Sequence, residues 1–229
     1  MGASGHSFAS LQARLNQTRS SDDRGETLPL TAKALGLEDE AERLVQLVAA
    51  LSQERVIAPA IVESSDECKA SVLRVNTEEG PAVVAMSSVD ALQHWNPNAR
   101  PVPIPGYQQA MIAVAETEGR LVIDPDGEGK GVRIPRPATH ALAHGDQWLP
   151  PWRDKELKAA LENFRDDVIA YVSIIPSPGA TQIIMVGVNP RGIRQRGRVV
   201  AALDRMSELP RLATACERVE FRPIAAHLA

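Results

Sequence analysis

The sequence predicts an α/β (α+β) protein made of two small sheet-and-helix halves with mixed or antiparallel sheets. Three observations carry this. Short β-branched runs such as Val56–Val62 and Gln182–Val188 alternate with helical stripes such as Leu44, Leu47, Val48 and Leu51. The pattern breaks at Gly145–Asp154 (GDQWLPPWRD), where two adjacent prolines forbid regular helix or central strand, and then restarts. Hydrophobic residues make up 44% of the 229, enough for a core, and aromatics only 3%, so that core is aliphatic.

The element order follows from local signals. Residues 1–36 are polar and rich in Ser, Arg and Asp, and read as a flexible arm. Within it Phe8, Leu11 and Leu15 fall at i, i+3 and i+7, so Ser7–Gln17 has the pattern of a short helix that folds only when docked. Residues 37–146 form the first half. Glu38, Asp39 and Glu40 open a helix at the end where the macrodipole favours acids. Val56–Val62 is the first strand, limited by Pro59 to an edge or a bulge. Ala70–Asn76 is the second, and a Glu78–Pro81 turn leads to the third at Ala82–Met86. Ser88, with Ser87 competing, caps a helix over Val89–Trp95. Prolines 101, 103 and 105 mark an extended run. Gly106–Glu118 is a helix whose buried side is marked by Met111, Val114 and Ala115. Leu121–Asp124 and Gly131–Ile134 make a hairpin, and a helix from Pro137 stops at Gly145.

Residues 147–154 read as a linker with surface-exposed backbone, and residues 155–229 as the second half. There Leu157, Leu161 and Phe164 stripe a helix, Val168–Ile175 and Gln182–Val188 are strands, and Val199, Val200, Leu203 and Met206 stripe another helix that Pro210 ends. Val219–Ile224 is the last strand. The second half either forms its own sheet or continues the first.

Composition narrows the function classes. A net charge of −4 and pI near 5.8 argue against whole-surface binding to nucleic acid or anionic membrane, and no DNA partner is expected. The N-terminus lacks the apolar segment of a signal peptide, and no apolar run is long enough to span a bilayer, so a cytoplasmic location is expected. Cys68 and Cys216 stand far apart with no ligand spacing and read as reduced thiols.

The chemistry-bearing motifs are weak. Pro125–Gly131 (PDGEGKG) is Gly-rich, but Gly131 stands where a phosphate loop needs Ser or Thr, and Pro135 where a calcium loop needs its last glutamate. His140 and His144 stand at i, i+4, but Ala141 replaces the glutamate of a zinc helix. No metal or other cofactor and no catalytic residue is expected.

Three surfaces remain as interaction candidates. Trp95, Asn96 and Pro97 are read either as an aromatic contact for a partner or as a helix closing onto its own sheet. Trp148 and Trp152 flank Pro150-Pro151 and dock either on a domain of this chain or on another protein. Arg191, Arg194, Arg196 and Arg198 lie in NPRGIRQRGR, which contains no acid and opens the Val199 helix, where positive charge opposes the macrodipole. Their anion is either internal, from Asp154, Glu156, Glu162, Asp166 and Asp167, or external.

The order of elements around Trp95, Asn96-Pro97 and Asp124-Pro125 resembles the bacterial SseB-like family over about residues 40–226. The resemblance implies an SseB N-terminal domain followed by an SseB C-terminal domain. It also implies a cytoplasmic, non-enzymatic binding or regulatory protein connected with amino-acid (serine) physiology. A protein partner is the leading expectation. A small anionic metabolite, bound by a sensor or an enzyme, and RNA or the ribosome are the alternatives at the arginines.

Overall fold

The computed structural model describes residues 23–62, 70–126 and 131–226. The Ser7–Gln17 stripe, Cys68 and residues 127–130 of the Gly-rich loop lie outside them.

The fold is α+β, as the sequence predicts. The first half runs α1 (Pro29–Leu35), α2 (Glu40–Leu51), β1 (Arg55–Val62), β2 (Ala70–Val72), β3 (Arg74–Thr77), β4 (Gly80–Ala85), α3 (Val89–Trp95), β5 (Arg100–Pro105), α4 (Gly106–Thr117), β6 (Leu121–Ile123), β7 (Val132–Ile134) and α5 (Arg136–His144). The second half runs α6 (Lys155–Glu162), β8 (Ile169–Ile174), β9 (Thr181–Val188), α7 (Pro190–Arg194), α8 (Arg196–Ser207), α9 (Pro210–Ala215) and β10 (Arg218–Ala225). A single 3-10 turn, Pro151–Arg153, lies between them.

Strands β2-β1-β5 form one antiparallel sheet and β3-β4-β6-β7 a mixed one. The two are joined where Ile57 and Met86 exchange N–H···O bonds of 2.8 and 2.9 Å. The second half has its own sheet, β10-β9-β8, with β10 parallel to β9. Strand β4 is buried on both faces: Val83 and Ala85 enter the main core, while Val84 and Met86 enter a smaller cluster with Ile57 and Leu92. That is why its sequence is a continuous apolar run.

The prolines find compatible places. Gly106 N–H donates to the Glu54 carbonyl at 3.0 Å, so Val56, Ala58 and Ala60 are the residues of β1 that exchange hydrogen bonds with β5. Pro101, Pro103 and Pro105 fall between those positions. Their missing N–H groups lie on the open outer edge of β5, which prolines protect from further pairing. Pro59, expected to limit β1 to an edge or a bulge, instead sits in the middle strand of its sheet. On its other side it falls between the Ile57–Met86 bridge and the Ala60–Val72 pair, where no ladder donor is required.

Several expectations are corrected. The arm does not extend to residue 36, because Pro29–Leu35 is a helix with Thr31 and Ala34 buried. Glu54 holds its start, accepting from Leu30 N and Thr31 N at 2.8 Å each. Ala70–Asn76 is not one strand. It divides at Leu73, so that β2 pairs with β1 and β3 with β4. Helix α4 buries Gln109, Ala110, Ala113 and Thr117 and not the larger side chains, Met111 being 52% exposed. At its start α4 touches the end of α2 so closely that a Cβ on Gly106 would lie 2.2 Å from the Leu51 carbonyl oxygen. Pro150, Pro151 and Asp154 are buried, not surface linker. Helix α8 ends at Ser207, and Pro210 opens α9 in place of closing α8.

The N-terminal end of the described chain is fastened. Arg55 donates to both Asp23 carboxylate oxygens at 2.8 and 2.5 Å and to the Ser87 and Glu26 carbonyls. The Arg55 hydrogen bond holds the Asp23 carboxyl down at about 2 from an ordinary 3.8, against desolvation. A carboxylate with a depressed folded pKa stabilises the fold above its unfolded pKa and loses that contribution as pH falls through the folded value. Attachment of residues 23–28 is therefore expected to be complete above about pH 4 and to weaken toward pH 2. The NMR shift of the Gly25 amide, which donates to Asp23 Oδ1 at 2.9 Å, reports it. A midpoint near 4 would mean that the pair does not form. Gly106→Ala is expected to destabilise by about 1–3 kcal/mol through overpacking, read as a lower denaturant midpoint with unchanged slope.

Candidate functional site

The three candidate surfaces have different fates. Trp95 ends α3 and packs, half-buried, on Ile57, Val84, Met86, Leu92 and Ala99. Asn96 N–H closes the helix on the Leu92 carbonyl at 2.7 Å, and Asn96 Oδ1 accepts from Asn98 N at 3.1 Å. Pro97 follows on the exposed turn. The capping hydrogen bonds of this segment hold the Trp95 ring on the sheet, which is the internal one of its two readings.

Trp148 and Trp152 meet edge to face, with centroids 6.1 Å apart at 89°, and both pack on the main core of the first half. The Trp148 Nε1–H is buried and has no hydrogen-bond partner among the described residues. Leu149, between them, is exposed. These rings dock the chain's own linker on the first half.

The arginines divide into two pairs. Arg191 reaches Asp167 at 3.0 Å. Arg198 reaches Asp167 at 2.6 Å, Asp166 at 3.3 Å and Gln195 Oε1 at 3.0 Å. The Arg198 hydrogen bond leads in holding the Asp167 carboxyl below its ordinary pKa, with the Arg191 charge adding to it. Of the five acids expected to answer the run, Asp166 and Asp167 do so. Asp154 and Glu156 are taken by Arg211 at 2.7 and 2.6 Å.

Arg194 and Arg196 are exposed and have no carboxylate among the described residues. Arg194 ends α7 and Arg196 begins α8, which has no acid in its first turn. Ile193 and Val200 lie beside them, 47% and 54% exposed. Arg196 and Val200 are one helical turn apart on α8 and share a face. Gly197 leaves that face open, since a Cβ there would meet nothing within 4 Å. The α7–α8 corner thus combines unanswered positive charge with exposed aliphatic surface.

The sequence places Val200 in the buried stripe with Val199, Leu203 and Met206. The helix buries Val199 and Met206, together with Ala202, and leaves Val200 exposed. Spacings of three and four from Val199 select those residues, and Val200 then lies one residue round the helix. Applied strictly, that periodicity identifies it as solvent-facing. Ile193 has no such signal, because the short α7 was not legible.

Two other clusters are structural. Asp154 caps α6 by accepting from Glu156 N and Leu157 N at 3.0 Å each. Burial pushes its carboxyl up, but Arg211 and these amides outweigh that and leave it below the ordinary value. Desolvation, helped by the Asp154 charge, pushes the buried Cys216 thiol up to about 12. His144 Nδ1 is 2.7 Å from the His140 carbonyl, and no three His, Cys, Asp or Glu converge on one point among the described residues. No helix among them is long and apolar enough to cross a membrane.

Residues 31–139 match the family model of the SseB protein N-terminal domain. The match begins inside α1, which belongs to the folded domain, and ends within α5. It leaves the linker and the second half outside. No curated protein and no solved structure matches the chain.

Asp167→Asn is expected to lower the melting temperature, because it leaves Arg191 without its carboxylate and Arg198 with Asp166 alone. Arg194→Ala and Arg196→Ala should leave it unchanged, and an equal loss in all three would contradict the pairing. Cys216 is expected to resist alkylation in the native protein at pH 8 and to react on unfolding. Peptide mapping after brief maleimide treatment checks this.

Proposed function

We propose that the chain is a non-enzymatic binding or regulatory protein of the SseB-like family, and that it docks a protein partner on the α7–α8 corner. The SseB N-terminal-domain match supports the family reading. The resemblance extends it to a C-terminal domain over residues 155–226, to the bacterial cytoplasm and to amino-acid physiology. The observation that carries the docking site is the grouping of Arg194 and Arg196, without acids, beside the exposed Ile193 and Val200. Four exposed side chains of this kind fit a segment that bears carboxylates next to an apolar residue. Guanidinium groups bind carboxylates by paired N–H donors, and the aliphatic neighbours add desolvated contact. The Trp95 and Trp148–Trp152 segments act in this reading as supports, since their rings are already spent on the first half.

The test uses the full-length protein immobilised in native lysate. It is compared with Arg194→Glu/Arg196→Glu and with Ile193→Ser/Val200→Ser. A partner identified by mass spectrometry is then titrated directly. Either double variant is expected to weaken binding at least tenfold, about 1.4 kcal/mol, with the melting temperature of the free protein unchanged. Binding should also weaken with salt for the wild type. Equal binding by wild type and both variants sinks the proposal. So does a melting shift with phosphate, polyphosphate or RNA that disappears in the arginine variant, which would assign the corner to a small anion or to nucleic acid.

A further inference from the structure

A groove of about 270 Å³ lies between α1 and α2. Leu30, Ala34, Leu37, Ala49 and Ala50 give it an apolar lining, and Lys33 is the cation of that lining. Leu30 is 43% exposed. The end of the groove where α1 turns into α2, at residues 36–39, is acidic. Glu38 and Glu40 follow the lining residue Leu37 at once, are exposed, and have no cation among the described residues. Asp39 between them caps α2, accepting from Glu42 N at 2.8 Å. Glu42, on the groove wall, is held by Arg153 and by Gln46. Glu38 and Glu40 are therefore the acids of this end that still lack a partner.

The α7–α8 corner is the counterpart of this surface in both charge and polarity. It presents Arg194 and Arg196 without carboxylates, and Ile193 and Val200 exposed beside them. The groove presents carboxylates without cations beside an apolar hollow. Leu37-Glu38-Asp39-Glu40 is itself a stretch with carboxylates next to an apolar residue, which is the chemistry that the corner selects. Exposed ion pairs alone are weak. Aliphatic side chains entering a hollow add the desolvated contact that such pairs lack. Every chain carries both surfaces, and no ion pair joins them within one chain among the described residues.

We propose that the partner of the α7–α8 corner is a second copy of this chain, whose α1–α2 groove receives Ile193 and Val200 while Glu38 and Glu40 take Arg194 and Arg196. The inference rests on the corner being a docking site and names what docks there. The two surfaces differ, so the contact runs head to tail, and copies joined by it form a ring or an open chain.

The test is sedimentation of the full-length protein over a concentration series up to about 100 µM, at low and at physiological salt. Wild type is compared with Arg194→Glu/Arg196→Glu, with Glu38→Arg/Glu40→Arg, with Ala49→Trp at the exposed groove wall, and with a chain that carries both charge reversals. Wild type is expected to associate, and less so as salt rises. Either reversal alone, and Ala49→Trp, is expected to weaken association about tenfold or more. Mixing the two reversed proteins, or reversing both surfaces in one chain, is expected to restore it. A variant that had merely lost its fold would show no such recovery. A wild type that stays monomeric overturns the inference and leaves the corner to a different protein. Association that survives the acid reversal and Ala49→Trp, or that does not return in the mixture, also overturns it. So does association indifferent to the arginine reversal, whereas the corner reading itself falls only when capture of a partner from lysate is equally indifferent to that variant.

Discussion

The hydrogen bonds around the start of β1 are the constraint on which the first half depends. Within four residues, Glu54 caps α1 through two backbone N–H groups, and its carbonyl receives Gly106 N at the start of α4. Arg55 fixes Asp23, Glu26 and Ser87, and Ile57 bridges to Met86 and so joins the two sheets. Two helices, two sheets and the N-terminal strap therefore take their positions from one short segment. Most of these contacts are backbone groups or a guanidinium fork, whose geometry is directional. That leaves little freedom in how α1, α4 and the sheets are arranged around an aliphatic core.

Much of this half was legible because each element carried its own local signal. Ser88 does accept from Ala91 N at 3.0 Å, and Gly145 does end α5 in the left-handed conformation, φ 77°. What failed were the decisions that depend on distant partners. The break at Leu73 has no turn residue. It arises because β2 and β3 pair with strands of different sheets. Pro59 reads locally as an edge, yet alternation of ladder hydrogen bonds gives a proline a harmless place in a middle strand. The size of the apolar residues points to the wrong face of α4, whereas the helix packs on α5 and β4 with the small Ala110 and Ala113 buried. Periodicity gives the existence of such a helix, but the distance to its neighbour decides which stripe is inside.

The candidate site shows the same division. The basic run was visible as a charge anomaly, and the internal acids were named from their sequence neighbourhood. Which arginine each acid would meet was not legible. The Asp166–Asp167 turn before β8 faces α8 only through the tertiary packing of the second core, where Val168 and Ile169 lie beside Val199 and Ala202. Arg191 and Arg198 are paired while Arg194 and Arg196 have no carboxylate among the described residues, and the break between α7 and α8 at Gln195, φ −114° and ψ 53°, falls within this run.

The junction of the halves has both polar and apolar parts, which bears on how binding at one end is felt at the other. Arg133 of β7 pairs with Glu79 and, at 2.6 Å, with Glu217 just before β10. Glu217 also accepts from Arg136 N at 3.1 Å. Arg153 pairs with Glu42 of α2, while Trp148 and Trp152 rest on the first core. Glu217 and Arg133 are largely withdrawn from water, so separating the halves would leave a guanidinium and a carboxylate to be resolvated along with the indole surfaces. An ion pair shielded in this way is less screened by salt than the exposed pairs of α8. The second half is thereby tied to β7 and α2 by contacts of a different salt sensitivity from the proposed docking corner. Raising ionic strength should release a partner from Arg194 and Arg196 well before it loosens the two halves from one another.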